Sequence, residues 1–295
     1  MDQQIVEIPD YHATPAGGSS PWQDDPALIA ALEAGKLLYF PSFGFTPLAS
    51  ERSLFSPAIR DPKKRNISLD ASGALHGALG DEATQAALAA MIGRFRLQAQ
   101  ELIAHLFPGY TGGLKLAPTS FRPAEVEDRV QSWRADDRRL HVDAFPSRPN
   151  HGERLLRVFT NVNPHGQPRV WRVGEPFQDV ARRFLPRAKA YRPWQARLLQ
   201  RLHVTKSYRS EYDHLMLQLH DGMKSDLDYQ REAPQCTFEF APGSTWVCFT
   251  DQASHAVMAG QYMLEQTLQL KADKLYDEQS APLAILTRMI GHALV

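Results

Sequence analysis

The spacing of apolar residues along this chain changes from one segment to the next. In "PALIAALEAGK" it follows a helical period that stops near Gly35, and "LLYFPSF" reads as a strand ended by Pro41. Leu88, Met91, Ile92, Phe95, Ala99, Leu102, Ile103 and Leu106 then recur at helical intervals, predicting a long helix from about Asp81 to Leu106 that Pro108-Gly109 ends. Its apolar stripe should pack on a sheet. Beyond it the period shortens: "LKLAPTSF", "RLLRVFTNVN", "CTFEF", "TWVCF" and "QYMLEQTLQL" are strand-like, the last placing Tyr262, Leu264, Gln266, Leu268 and Leu270 on one face. These segments suit a mainly β fold with helices: a double-stranded β-helix, or jelly-roll, core with flanking helices. A helical insertion at about 175–224 separates the barrel halves, and within it Ser210 is placed to cap the helix "EYDHLMLQLHDGMK". No internal repeat or low-complexity tract interrupts the 295 residues, which read as one domain. In the C-terminal "SAPLAILTRMIGHALV", Leu283, Leu286, Ile290 and Leu294 fall near one helical face with Arg288 as the charged side chain. Packing on the barrel is the commoner fate of such a stripe, and docking on a membrane is the alternative.

Composition narrows the classes. The chain carries 33 basic and 33 acidic residues, so overall charge favours neither nucleic acid nor a lipid surface. Local charge is another matter. From Arg172 to Arg209 ten basic residues face only Glu175 and Asp179, a net of +8, so this stretch is either a positive field for an anionic partner or a set of solvated helix faces. Cys236 and Cys248, both in apolar strand-like surroundings, suggest two buried thiols in a reducing compartment, with a cross-strand disulfide as the minor alternative. The N-terminus has neither a basic nor an apolar leader region, and no run of apolar residues is long enough to span a bilayer, so a cytoplasmic protein is expected.

The chemistry centres on His141-Val142-Asp143 and, far downstream, His255 in "TDQASHAVMAG". On an extended chain His141 and Asp143 project to one side, and a third ligand from a distant strand can close a triangle on an octahedral iron(II) with the opposite face open. Spacing alone does not decide between this and an exposed aspartate with packed histidines. His255 strengthens the metal reading, because "APGSTWVCF" is a turn-then-strand unit that would carry it back across the barrel. His151-Gly152-Glu153 has the same ligand spacing but looks like a loop after "SRPN", which makes His151 a surface or substrate-side residue. His214 and His220, six apart on a helix, face different directions and are assigned to packing.

An iron oxygenase of this type needs a two-electron co-substrate, usually 2-oxoglutarate, whose far carboxylate wants a guanidinium or ammonium in a shielded pocket. The strand after His255 offers Glu265, Gln266 and Thr267 and no cation before Lys271. "GERLLRVFTNVN" has two: Arg157 shares a face with Phe159, Asn161 and Asn163, while Arg154 shares the other with Leu156, Val158 and Val162. The polar set suits a ligand pocket, so Arg157 is the expected anchor. Arg122 in "TSFRPA" is a second candidate cation, although a surface ion pair is the commoner role for such an arginine, and Asn161 is a further co-substrate contact; His151, Arg148 and Trp171 are substrate-side candidates by nearness.

Three long strings, "HVDAFPSRPNHGERLLRVFTNVNPHGQPRVWRVGEPF", "YDHLMLQLHDGMK" and "FAPGSTWVCFTDQASHAVMAGQYMLEQT", resemble the bacterial Kdo hydroxylases, a family of Fe(II)/2-oxoglutarate dioxygenases acting on the inner core of lipopolysaccharide. The resemblance runs along most of the chain and is far more specific than H-x-D. It implies that His141, Asp143 and His255 are iron ligands and that Arg157 touches 2-oxoglutarate. It also implies a reaction with O2 that hydroxylates carbon 3 of a Kdo (3-deoxy-manno-octulosonic acid) residue on lipid A to give Ko. The +8 stretch then gains a partner in the anionic substrate, with Arg182, Arg183 and Arg187 as first candidates and peripheral contact with the cytoplasmic face of the inner membrane as a further expectation. Rival readings are a same-fold oxygenase acting on another lipid or small metabolite, and a non-catalytic jelly-roll binding protein.

Overall fold

A computed structural model describes residues 4–11, 21–126 and 131–295, so most of the Pro/Gly/Ser-rich entry lies outside the described residues. Its strands are β1 (Ile5–Glu7), β2 (Leu37–Phe40), β3 (Ile67–Leu69), β4 (Leu75–His76), β5 (Leu114–Arg122), β6 (Arg154–Asn161), β7 (Arg169–Gly174), β8 (Gln235–Phe240), β9 (Thr245–Phe249), β10 (His255–Ala259) and β11 (Met263–Leu270). Its helices are α1 (Pro26–Glu33), α2 (Glu82–Leu106), α3 (Phe177–Phe184), α4 (Pro193–Arg201), α5 (Glu211–Ser225), α6 (Leu227–Glu232) and α7 (Pro282–Ile290). Eight strands form one sheet in the order β1-β2-β9-β6-β11-β5-β3-β4, and β10-β7-β8 form the second. Tyr39, Phe159, Trp246 and Met263 of the large sheet pack with Trp171, Val173 and Phe240 of the small one, which makes the interior of the predicted jelly roll.

Strand alternation decides which side chains reach that interior. Leu156 and Val158 on β6 and Leu264 and Leu268 on β11 bury against α2, whose predicted stripe, Leu88 to Leu106, is buried throughout. Asp81 caps α2 by accepting from Thr84 N–H at 2.8 Å. The alternate residues, Arg157 and Phe159 on β6 and Met263 on β11, therefore turn inward. Ser210 caps α5 as expected and forms a reciprocal capping box with Asp213. Only part of the C-terminal stripe is covered: Leu286 and Leu294 bury with Ile285 among Phe177, Val180, Tyr212 and Leu215 of the insertion and Ala256 of β10, Leu283 is half-buried and Ile290 is exposed. Cys236 and Cys248 are not joined in a disulfide.

Arg154 shows what the opposite face of β6 demands. Fully buried, its guanidinium donates to Asp251 Oδ2 at 2.7 Å and Gln252 Oε1 at 2.5 Å and lies 4.0 Å over the Phe249 ring. Asp251 Oδ1 also accepts from Leu155 N–H at 3.1 Å, which fixes the turn leading to His255. Removing one partner of a buried pair leaves an uncompensated charge, so Asp251→Ala should destabilise the protein by about 3–5 kcal/mol, read as a lower urea midpoint. The double variant Arg154→Met with Asp251→Leu should recover most of that loss.

Candidate active site

Leu140 and Val142 are buried against the helical insertion, so the residues between and after them, His141 and Asp143, face the barrel interior. Backbone bonds lock them to the opposite segment: His141 and His255 exchange N–H···O=C bonds of 3.0 and 2.9 Å, and Asp143 N–H donates to Thr250 O at 2.8 Å. One potential ligand atom from each of His141, Asp143 and His255 then lies within 4.8 Å of the others. Among the described residues this is the one group of three or more such side chains that could share a metal ion.

Protonation states favour a cation here. The Nδ1–H of His141 donates to Arg139 O at 2.7 Å and that of His255 to Ala253 O at 2.8 Å, which leaves both Nε2 lone pairs free. Burial, helped by the neighbouring His141, pushes the His255 imidazole down to about 4. Desolvation works to raise the Asp143 carboxyl, but the Arg157 guanidinium and the two imidazoles hold it well below the usual range. Two imidazoles with Nε2 lone pairs turned inward and one half-buried carboxylate, all within reach of one another, fit a divalent metal. Because His255 carries no proton above about pH 4, metal binding has none to displace from it there.

A chain of alternating charges leads away from the triad. Arg157 Nη2 lies 3.0 Å from Asp143 Oδ2, without the alignment of a hydrogen bond, and Nη1 lies 3.3 Å from Glu265 Oε1. Glu265 Oε2 in turn accepts from Arg122 Nη2. Desolvation works to raise the Glu265 carboxyl, but Arg122 and Arg157 keep it below its ordinary value. The cavity they border, about 160 Å³, contains the triad, both arginines, Trp171 and Phe159. Three buried donors here have no protein partner: Arg122 Nε, Arg157 Nε and Trp171 Nε1. A buried donor left unpaired is costly, so these mark a place for an acceptor-rich ligand. Trp171 also stacks on His255 with centroids 5.1 Å apart.

Other expectations fare differently. Asn161 is not at this cavity, which corrects its assignment as a co-substrate contact: its amide donates to Gln167 O and Phe240 O, each at 3.0 Å, and it borders a separate groove of about 690 Å³. It sits where β6 ends, so its side chain ties down a turn instead of facing the triad. His151 and Glu153 do not form a second ligand pair; His151 Nε2–H donates to Tyr208 O at 2.6 Å, and Glu153 pairs with Lys115. Arg148 lies beside Phe145 and Asp213. Sequence reasoning missed Glu265 as the shared counter-ion and His220 as a neighbour of the site, its ring edge-on to His141 at 5.6 Å. The signal for Glu265 was present in "YMLEQT": an acid facing inward on a core strand requires cationic partners.

A jelly roll with two histidines and one aspartate around a buried polar cavity is the architecture of the non-haem iron oxygenases. The family model for 3-deoxy-D-manno-oct-2-ulosonic acid (Kdo) hydroxylase matches residues 19–293, and the chain belongs to that family. It is similar to the crystal structure of the Kdo hydroxylase KdoO, a non-haem Fe(II) α-ketoglutarate-dependent dioxygenase, in complex with α-ketoglutarate and Fe(III). Identity to that chain is 41%, coverage is 99% of this chain and 98% of that one, and the TM-score is 0.91. The cobalt(II) complex of KdoO matches at 41% identity and its apo form at 42%, both with a TM-score of 0.91 and the same coverage. No curated protein sequence matches closely.

Proposed function

We propose that this chain is an Fe(II)- and 2-oxoglutarate-dependent dioxygenase that hydroxylates carbon 3 of a Kdo residue on lipid A, with His141, Asp143 and His255 as the iron ligands. The observation that carries the reading is the pair of free Nε2 lone pairs converging with a buried carboxylate beside orphaned guanidinium and indole donors. When bound, iron with 2-oxoglutarate and O2 supplies the oxidising power, through decarboxylation to succinate and carbon dioxide, to exchange a C–H hydrogen for hydroxyl. The protein's own contribution is placement. Arg157 and Arg122 balance Asp143 and Glu265, so a metal dication and an oxoglutarate dianion enter together without leaving net charge in the cavity. The unpartnered Arg157 Nε, Arg122 Nε and Trp171 Nε1 supply donors for the oxoglutarate carboxylates. Phe159, Trp171, Val257 and Met263 wall the cavity with apolar surface that excludes water.

A lipid-linked substrate supports a reading in which the enzyme works at a lipid surface, on the cytoplasmic side. None of the described helices is long and apolar enough to cross a membrane, so the contact would be peripheral. The test is mass spectrometry of Kdo-lipid A after incubation with enzyme, Fe(II), 2-oxoglutarate and O2, with succinate measured in parallel. One oxygen atom should be gained on the sugar in step with succinate released. Succinate without any oxygen on Kdo would leave an oxygenase of another specificity, and no succinate at all would refute the enzymatic reading.

A further inference from the structure

Thirteen large hydrophobic side chains are exposed among the described residues, and four of them fall in one short stretch: Trp194 at 59%, Leu198 at 46%, Leu202 at 61% and Val204 at 54%. Scattered exposed apolar groups need no explanation, but a run of them does. Trp194, Leu198 and Leu202 recur every four residues along α4 and past its C-terminal end, so they share a face. The helix meets the rest of the protein through the opposite side, where Ala196 is buried and Leu199 half-buried. Among the described residues, nothing covers the outer stripe.

The charges around it have one sign. Arg192, Arg197, Arg201 and Lys206 are all exposed, and among the described residues no acidic side chain lies within ion-pair distance of any of them. The arginines expected from the sequence to recruit an anionic partner are instead engaged: Arg182 with Asp179 at 2.7 Å, Arg183 with Glu175 at 3.4 Å and Arg187 with Asp226 at 2.8 Å. The unpaired positive field of the insertion is therefore concentrated on the element that also exposes the apolar stripe. A Trp/Leu face flanked by arginines is the composition of a helix lying in a lipid interface.

The stripe is also joined to the active site. Tyr191 and Tyr208, on either side of α4, are linked by a hydroxyl hydrogen bond of 2.6 Å, and Tyr191 also donates to Arg209 O at 2.7 Å. Lys206 N–H donates to Ser147 O at 2.9 Å, and Arg209 donates to Pro146 O. Ser147 and Pro146 belong to the loop that leaves Asp143 and carries Phe145, whose ring borders the triad's cavity.

We propose that α4 is the membrane-docking element of this protein: Trp194, Leu198 and Leu202 enter the interface of an anionic bilayer, and Arg192, Arg197, Arg201 and Lys206 contact its phosphates. The proposal rests on the reading of the substrate as a membrane lipid and adds the surface by which the enzyme reaches it. Docking through α4 presents the Phe145 side of the cavity to the same membrane.

The test uses the full chain, substrate-free vesicles of phosphatidylethanolamine and phosphatidylglycerol, and vesicles of phosphatidylcholine alone. The parent should float with the anionic vesicles and not with the neutral ones. Partitioning should fall about thirtyfold for R197Q/R201Q, at roughly a factor of five to six for each arginine lost from an anionic surface. It should fall by at least about tenfold for W194S/L198S/L202S. Brominated acyl chains should quench part of the parent's tryptophan fluorescence, and Trp194→Phe should abolish that quenching while still floating. Equal flotation of the parent and both variants overturns the proposal. So does a parent dimer in sedimentation velocity that W194S/L198S/L202S dissolves, because a second copy would then cover the stripe. Hydroxylation of detergent-dispersed Kdo-lipid A separates this from the enzymatic reading. Both variants should match the parent there, and a parent inactive in detergent would count against the oxygenase assignment, leaving the vesicle result to stand or fall alone.

Discussion

His255→Ala should lose iron binding and turnover together while remaining folded. Its backbone bonds to His141 belong to the peptide and survive the substitution, so the segment that carries Asp143 and Thr250 keeps its register. What disappears is one of the two free Nε2 lone pairs, and with it the triangle of ligand atoms. Partners that merely orient a metal ligand are worth ten- to a hundredfold in affinity, so the ligand itself should cost more than about a hundredfold in an anaerobic Fe(II) titration. Succinate release should fall to background with or without Kdo substrate. His214→Ala is the matched control: His214 is half-buried on α5, its Nε2–H donates to Lys189 O at 2.7 Å, and the variant should bind iron as the parent does. Retention of near-parental iron affinity in His255→Ala would remove the triad and the mechanism built on it.

Much of this site was legible in the sequence because it rests on periodicity. The two-residue repeat of strands was enough to separate Arg157, facing inward, from Arg154, facing the helices, and to put His141 and Asp143 on one side with Val142 on the other. The helical repeat from Leu88 to Leu106 located α2 almost to the residue. Elements too short for a period to emerge were not legible: β1, β3 and β4 have two or three residues each and are fixed by strand pairing and by single side chains such as Ile67 and Leu69 reaching the core. Tertiary context decided the rest. Asn161 has the right alternation for the cavity but stands at the end of β6, where a turn claims its amide. The search for a cation on β11 met Glu265 and stopped, although a buried acid there is what holds Arg122 and Arg157 together. The two apolar stripes are the clearest case. The C-terminal one was expected to pack before it docked on lipid, and Leu286 and Leu294 are indeed covered, whereas among the described residues nothing covers Trp194, Leu198 and Leu202 of α4's stripe, which the sequence reading did not single out. Which stripe is left open depends on packing between distant segments, and no local pattern encodes it.

Arg157→Leu should produce the largest loss in co-substrate affinity of any substitution outside the triad. Its side chain is only 12% exposed, lies within ion-pair distance of Asp143 and Glu265, and keeps an orphaned Nε–H. Truncating one partner of a buried, hydrogen-bonded charge pair costs about 2–5 kcal/mol, so the KM for 2-oxoglutarate should rise by roughly thirtyfold or more. The same change leaves Asp143 and Glu265 short of a cation, and a loss of stability of similar size is expected from that cause alone. The two effects can be separated. Glu265→Gln in the Arg157→Leu background removes the stranded carboxylate, keeps its shape, and should restore much of the lost urea midpoint. It supplies no cation for an incoming carboxylate, so the raised KM should persist. Arg157→Lys should fall between the two, since an ammonium retains the charge but not the fork that holds a carboxylate through two bonds. If Arg157→Leu with Glu265→Gln regains parental KM along with stability, Arg157 serves the fold alone, and Arg122 becomes the cation that receives 2-oxoglutarate.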